Sequence, residues 1–491
     1  MVKFSDLKSI SNFIESFELK HRHLISSLDQ DGFNSWSIVR KKLYFKYKRK
    51  YITGDSARRE QRTVKTSKVR SLAEFMTQML YLKTFNKGRV LILSDVQRLM
   101  SKGGSGQKFD VFFQYFLDNE SFKPLYSVRG INSSNDNLSR KPDFIHGIGL
   151  DIISRINPPK TSKSTIRNHG KIFAEALNNH ANELGIDAQI VESDLVKIYH
   201  RFWTSFSYYS ILFKWLRPKA IFAINQVGGG ITAAANRENI DLYEFQHGFF
   251  NRNKPDYHFP KYFLEFKEKI PLPDKIITFG SFFSKIILSS GFWQSNNLIE
   301  VGNLEIERYR KQNQHKNDNQ IKRILIILQP SCYVEFKEIL ESLSTENLQE
   351  LQIVLKPHPA ESINRCKWYK KFSEQNPGNF IYEESKSSIL EIMTSVDAVA
   401  GFHSTSLFEA AALGKDVFIF SFSEGNDLQT MIEEDITSHF HIIQRSDEFV
   451  KSICFASSNP KTSAQNFGDS IAKRNYKQNV ESFIKNVDTL N

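Results

Sequence analysis

The chain has 491 residues, more than a single hydrophobic core usually serves, so two domains are expected. Apolar residues at 40% and charged residues at 24% exclude a largely disordered chain. The net charge of +12 directs attention to anionic partners. No apolar run approaches the ~18–20 residues of a membrane span. Three distant cysteines, Cys332, Cys366 and Cys454, make neither a disulfide framework nor a zinc knuckle. The start, Met1 to Asp6, lacks the apolar core of a signal peptide. A cytoplasmic location is expected, with any membrane contact peripheral.

The charge is uneven along the chain. Residues 1–84 hold 18 Lys/Arg against 8 Asp/Glu, so +10 of the +12 lies there. The densest run is Arg40 to Tyr51, followed by Arg58, Arg59, Arg62, Lys65, Lys68 and Arg70, with aromatics between the cations. Such a segment suits the headgroup level of an anionic membrane, here through residues 40–70, or a solvated basic helix. The same chemistry would serve nucleic acid, but nothing later in the chain reads bases. Asp29-Gln30-Asp31 spells the Asp-x-Asp of metal-dependent transferases. It lies outside any recognisable α/β unit and reads as a solvated turn.

From about residue 85, short β-branched runs alternate with helical stretches, the mark of an α/β protein. The pattern predicts strands at 89–94, 220–224 and 241–245, with helix over 163–216. Further strands are predicted at 275–279, 298–301, 323–328, 352–355, 379–382, 398–400, 417–420 and 439–443. Helices at 281–288, 335–343, 387–394 and 405–412 fall between them. Near-continuous apolar strands joined by helices imply parallel sheets covered on both faces. Residues 255–273, rich in Pro, Lys and aromatics, read as the linker. The expected organisation is a basic, mainly helical segment at 1–84 and a Rossmann-like acceptor domain at 85–262. A Rossmann-like nucleotide-donor domain at 263–491 follows, its last helix (about 468–487) returning toward the acceptor domain. The site is expected in the cleft between the two domains.

Four motifs and one turn carry candidate chemistry. Gly229 sits in Asn225-Gln226-Val227-Gly228-Gly229-Gly230, a glycine-rich turn opening a helix, which suits an acceptor or a diphosphate. The strand at 241–245 ends in Gln246-His247-Gly248. Gly248 lets the backbone turn beside the imidazole, and His247 suits a general base; the plainer role is a structural histidine. The strand near 352 ends in Lys356-Pro357-His358-Pro359. Ligands of open α/β sheets bind outside the carboxyl ends of strands, and two prolines would hold the imidazole of His358 at one angle. Glu383-Glu384 follows the next strand, where a carboxylate can accept both hydroxyls of a ribose; Glu384 is preferred. Last, Gly401 leads through Ser404-Thr405-Ser406 into an Ala/Leu helix. Free amides and the macrodipole make an anion site there, and three hydroxyls exceed the one that a helix cap needs.

This ordered set resembles the GT-B glycosyltransferases and polymer transferases of bacterial surface polysaccharide synthesis, among them capsule transferases, CDP-glycerol glycerophosphotransferases and bacterial sialyltransferases. The resemblance covers about residues 200–425. It implies a GT-B-like fold and donor-phosphate contacts at Lys356, His358, Ser404, Thr405 and Ser406. It also implies ribose binding at Glu384, a base role for His247, and Gln246, Gly248 and Gly229 lining the acceptor side. No catalytic metal and no cofactor are implied. The implied substrates are a CMP-, CDP- or UDP-linked donor and a glycan or lipid-linked glycan acceptor. The acidic pair followed by glycine that supplies the base in sialyltransferases is missing, which separates the chain from that branch. A nucleotide-sugar 2-epimerase of the same fold and a non-catalytic transferase-like scaffold are the alternatives. The epimerase would need several acidic residues in the cleft, and the scaffold has no use for two placed histidines.

Overall fold

A computed structural model describes the chain from Val2 to Thr489 apart from 54–87, 102–107, 130–143, 146–161, 313–322, 423–438, 459–463 and isolated short runs. The chain opens with helices α1 (Leu7–Lys20) and α2 (Arg22–Ser27), a hairpin of β1 (Asp29–Gln30) and β2 (Phe33–Asn34), and α3 (Ser35–Tyr47). Asp31 and Gly32, both at positive φ, turn the hairpin, which accounts for the Asp-x-Asp spelling. Helix α1 buries Ile10, Phe13, Ile14 and Phe17, one helical stripe. Helix α3 starts on an Asn34 cap and buries Trp36, whose ring lies 5.3 Å from Phe173.

The first sheet domain begins with β3 (Val90–Asp95), a small hairpin of β4 (Leu99–Ser101) and β5 (Lys108–Asp110), and the short α4 (Gln114–Leu117). Strands β6 (Leu125–Arg129) and β7 (Phe144–Ile145) follow, then helices α5 (Lys163–Glu183) and α6 (Glu192–Leu216). The remainder is β8 (Ala220–Ala223), α7 (Gly230–Glu238), β9 (Asp241–Phe245), β10 (Lys275–Thr278), α8 (Ser281–Leu288) and β11 (Leu298–Glu300). Seven parallel strands pair in the order β11-β10-β9-β8-β3-β6-β7. The layer α1–α3 packs on α5 and α6 and shares their core.

Helix α9 (Leu304–Gln312) leads to the second domain. There, β12 (Arg323–Ile327), α10 (Tyr333–Thr345), β13 (Gln352–Lys356), α11 (Ile363–Gln375), β14 (Phe380–Tyr382) and α12 (Ile389–Thr394) build one half. The other half is β15 (Ala398–Gly401), α13 (Thr405–Ala412), β16 (Asp416–Phe420), β17 (His441–Ile443) and α14 (Phe449–Ser458). All six strands run parallel in the order β14-β13-β12-β15-β16-β17. Helices α15 (Ala464–Ile471) and α16 (Tyr476–Asp488) close the chain, and Phe483 of α16 packs on Phe222 and Tyr243 of the first sheet. Two doubly wound parallel α/β domains in series, with a helical N-terminal layer, make the GT-B-like architecture expected.

Two expectations about organisation need correction. The first sheet domain does not end at residue 262. Strands β10 and β11 pair with β9 in the first sheet, so the change of domain falls in the connection from α9 to β12. The 255–273 stretch is not a linker, because Phe259, Phe263 and Phe266 are buried in the core of the first domain. The expected last helix is two helices, broken before Asn475 at φ 62°.

The basic segment is also not a uniform solvent or membrane face. Arg40 (3% exposed) and Lys41 (8%) point inward from α3. Arg40 meets Glu18 at 2.5 Å and Lys41 meets Asp256 at 3.0 Å. Lys46 holds Asp194 at 2.6 Å. Lys42, Arg49 and Lys50 are exposed, and the cations from Arg58 to Arg70 lie outside the described residues.

Candidate functional site

In the second sheet the strand order reverses between β12 and β15, and the crevice at the carboxyl ends of such a pair is where open α/β sheets take ligands. Ser404 to Ser406 stand at that point. Ser404 caps α13, its Oγ accepting from Ser406 N at 3.2 Å. The Ser406 hydroxyl is spent on Glu409, whose carboxyl is pushed up by burial and drawn back in part by that bond. The Thr405 hydroxyl and the proton of the Ser404 hydroxyl, whose Oγ only accepts in the cap, remain to donate to a ligand. Ser404 and Ser406, expected to bind phosphate, also shape the helix start.

The carboxyl edge carries the other residues expected on the donor side in a fixed sequence. His358 is exposed at the end of β13, on the opposite side of β12 from Ser404. That places the two about 10 Å apart, two strand spacings. Glu384 is exposed beyond the edge strand β14, a further ~5 Å out. Glu383 is half-buried, its amide donating to Leu355 O at 3.0 Å. Lys356, expected at the donor phosphate, is turned to the backbone of the next strand tip. It is buried, its Nζ donates to Glu384 O at 2.6 Å, and burial lowers its pKa. It braces the tips of β13 and β14 so that Glu384 stands out. The tip of β12 is braced likewise, by Arg365 Nη1 donating to Pro330 O at 2.6 Å with the guanidinium over the Tyr333 ring.

From the first domain, the turn after β9 meets this edge. A side-chain carbon added at Gly248 would lie 3.8 Å from Thr405 Oγ1. The turn is shaped by Gln246, which is buried. Its Nε2 donates to Gly248 O at 2.8 Å, and its Oε1 accepts from Phe279 N at 2.8 Å. Gln246 thus holds the turn and does not line the acceptor side as expected. His247 is half-buried beside Gly248. Gly229 is likewise structural. The triplet lets α7 approach α6 and α3, with Gly230 against Phe202 O and Gly228 against Ser37 O. The structure therefore brings Gly248, next to His247, to the α13 start at Thr405, with His358 two strand spacings away and Glu384 at the outer edge.

A buried polar cluster beneath the turn escaped sequence reasoning. Glu244 accepts from Gln226 N (3.0 and 3.2 Å) and from Tyr257 Oη (2.9 Å). Its pKa is pushed up to about 7, chiefly by burial, with Lys41 and these bonds pulling the other way. A lone carboxylate in the apolar run Leu242-Tyr243-Glu244-Phe245 was the available signal. Among the described residues no group of three or more His, Cys, Asp or Glu side chains is placed to hold a metal ion.

No protein-family profile matches the sequence, and no curated protein matches it. Among solved structures the chain is similar to a glycosyltransferase from Rickettsia africae ESF-5, at 12% identity over 82% of this chain and 100% of that one, TM-score 0.46. It is similar to the UDP-GlcNAc 2-epimerase of Neisseria meningitidis bound to UDP-GlcNAc, at 11% over 81% and 98%, TM-score 0.47. It is also similar to the wall teichoic acid polymerase TagF, at 10% over 86% and 99%, TM-score 0.41. Likenesses this distant leave reaction and substrate open.

Proposed function

We propose that the chain is a GT-B-type transferase. It would move a sugar or polyol phosphate from a nucleotide donor to a growing bacterial capsule or cell-surface polysaccharide, without a catalytic metal. The observation that carries this reading is the contact of the Gly248 turn with Thr405, at the switch point of the second sheet. In this reading the imidazole of neighbouring His247 serves an anion-favouring helix start of the other domain.

In this reading the nucleotide lies along the carboxyl edge from Thr405 to Glu384. Amides of the α13 start and His358 stabilise charge on the departing phosphate. The acceptor hydroxyl forms the new bond as the donor's bond to that phosphate breaks, and His247 takes the hydroxyl proton. Glu384 holds the ribose. Exposed Lys42, Arg49 and Lys50 give the enzyme a small basic face for an anionic membrane surface beside a lipid-linked acceptor. Among the described residues no helix is long and apolar enough to cross a membrane.

The test is a thermal-shift panel of CMP, CDP, UDP and GDP on the wild-type chain and His358→Ala, with EDTA present throughout. A preferred nucleotide whose stabilisation weakens in the variant supports the donor site. Equal binding by a folded His358→Ala chain removes His358 from it. Isomerisation of a nucleotide sugar without any acceptor would mark the epimerase instead, and no binding at all the scaffold.

A further inference from the structure

The loop after β9 begins with His247 and Gly248 at the domain seam, and its far end is held by two cations of the N-terminal layer. Arg40 donates from Nη1 to Pro255 O (2.6 Å) and His258 O (3.0 Å), while its Nε and Nη2 hold Glu18. Its guanidinium lies over the Phe259 and Phe263 rings. Lys41 Nζ stands 3.0 Å from Asp256 Oδ2 and 2.7 Å from Asn225 Oδ1. Between these anchors, Tyr257 donates to Glu244 at 2.9 Å, and its ring meets Phe250 at 4.2 Å. Phe250 faces Phe283 of α8, which faces Phe408 of α13. One packed path thus joins α3 to the loop, and the loop to the helix that carries Thr405.

We propose that Arg40 and Lys41 are positioning residues for the acceptor side of the site. Through them the N-terminal layer fixes Pro255, Asp256 and His258 after the β9 turn, and with them the approach of that turn, at His247 and Gly248, to Thr405. The physical case is the cost of buried charge. Asp256 is 3% exposed, and its Oδ1 has no hydrogen-bond partner among the described residues, so Lys41 is the cation that keeps this carboxylate in place. Without Lys41, the carboxylate is driven toward water and carries the loop end with it. Neighbouring Lys42 is exposed, so the basic run divides by helix face into buried and exposed cations.

What the loop does for the reaction rests on the transferase reading above; where the loop sits does not. The test is diethyl pyrocarbonate labelling of the full chain, read by mass spectrometry at His247 and at exposed His358 in the second domain. In Lys41→Met, and independently in Asp256→Asn, His247 should be labelled about tenfold faster through local opening, with His358 unchanged. Asp256→Asn attacks the same contact from the loop side and serves should Lys41→Met fold poorly. An unchanged His247 rate overturns the proposal. So does equal acceleration at His247 and His358, which marks general loosening. UDP affinity, measured by calorimetry as the donor-side probe, should match wild type in both variants, and a loss there also overturns the proposal. A wild-type chain that binds none of the four nucleotides sinks the transferase reading, while the labelling ratio still decides how the loop is held.

Discussion

Ser404 and Thr405 differ by one position and by what their hydroxyls do. Ser404 caps α13, so Ser404→Ala should lose ~1 kcal/mol of stability in urea unfolding. Thr405 faces the Gly248 turn. Thr405→Val keeps its shape and should leave the melting temperature unchanged, while nucleotide affinity falls about tenfold for one lost hydrogen bond to a charged group. A variant that loses stability and keeps affinity would reverse the assignment. Glu244 makes a pH prediction. Its carboxyl titrates near 7 in the folded chain against 4.5 for the ordinary group. The folded state therefore holds a proton that the unfolded chain has released, and stability falls as pH rises between these values, by up to ~3 kcal/mol. Buried histidines with lowered pKa, such as His169 and His180, act in the opposite direction, so the comparison must be a difference. Relative to Glu244→Gln, the wild type should lose stability from pH 4.5 to 7.5 in matched urea titrations. A constant difference would show that Glu244 stays ionised throughout.

At the scale of elements, the glycine triplet shows how one sequence signal can carry a different physical meaning. A carbon added at Gly230 would stand 2.4 Å from Phe202 O and 2.6 Å from Phe206 N, backbone atoms of α6 that cannot turn aside. Gly230→Ala should therefore separate α6 from α7 and cost about 3 kcal/mol, whereas Gly378→Ala, with open space around it, should be neutral or slightly stabilising. Denaturation midpoints of the two variants decide this. The strands of the second sheet were legible because runs such as Ile324 to Leu328 are buried on both faces and have few other solutions. Strand β6 was not read, and β10 and β11 were given to the wrong domain. A proline-rich stretch looks the same whether it links two sheets or packs Phe259 and Phe263 beneath Arg40. The inward turn of Arg40 and Lys41 was equally hidden. Asp256 lies over two hundred residues from Lys41, and no local pattern announces that pairing. That each candidate motif follows a strand ending at a carboxyl edge was legible. Whether Gln246, Lys356 and Ser406 face a ligand or other groups of the chain was not legible, since both roles ask for the same donors.

For the whole molecule, the relative placement of the two sheets decides whether His247 reaches the α13 start at all, and much of that placement converges on one side chain. Arg310, on the helix that joins the domains, donates to Ala412 O at the end of α13 and to Gly468 O and Ala472 O near the end of α15, each at 2.7 Å. A guanidinium suits two helix C-termini, where carbonyls lack partners and the dipoles are negative. The same 468–473 segment reaches the first domain, with Lys473 N donating to Phe279 O at 2.8 Å and Gly280 packed against Ser470 O. Arg310→Met keeps the apolar stem and removes three hydrogen bonds, with Gly468 O keeping a second donor in Ala472 N, a loss of roughly 3 kcal/mol. Because the loss falls at the junction and not within either sheet, calorimetry should show the variant's unfolding separating into two transitions, where the wild type unfolds in one. Arg310→Lys should recover only part of the coupling, since a single ammonium cannot copy a planar fork aimed at three carbonyls. If Arg310→Met melts as one transition at the wild-type temperature, the aromatic contact of Phe282 with Phe408 holds the domains together without help from the guanidinium.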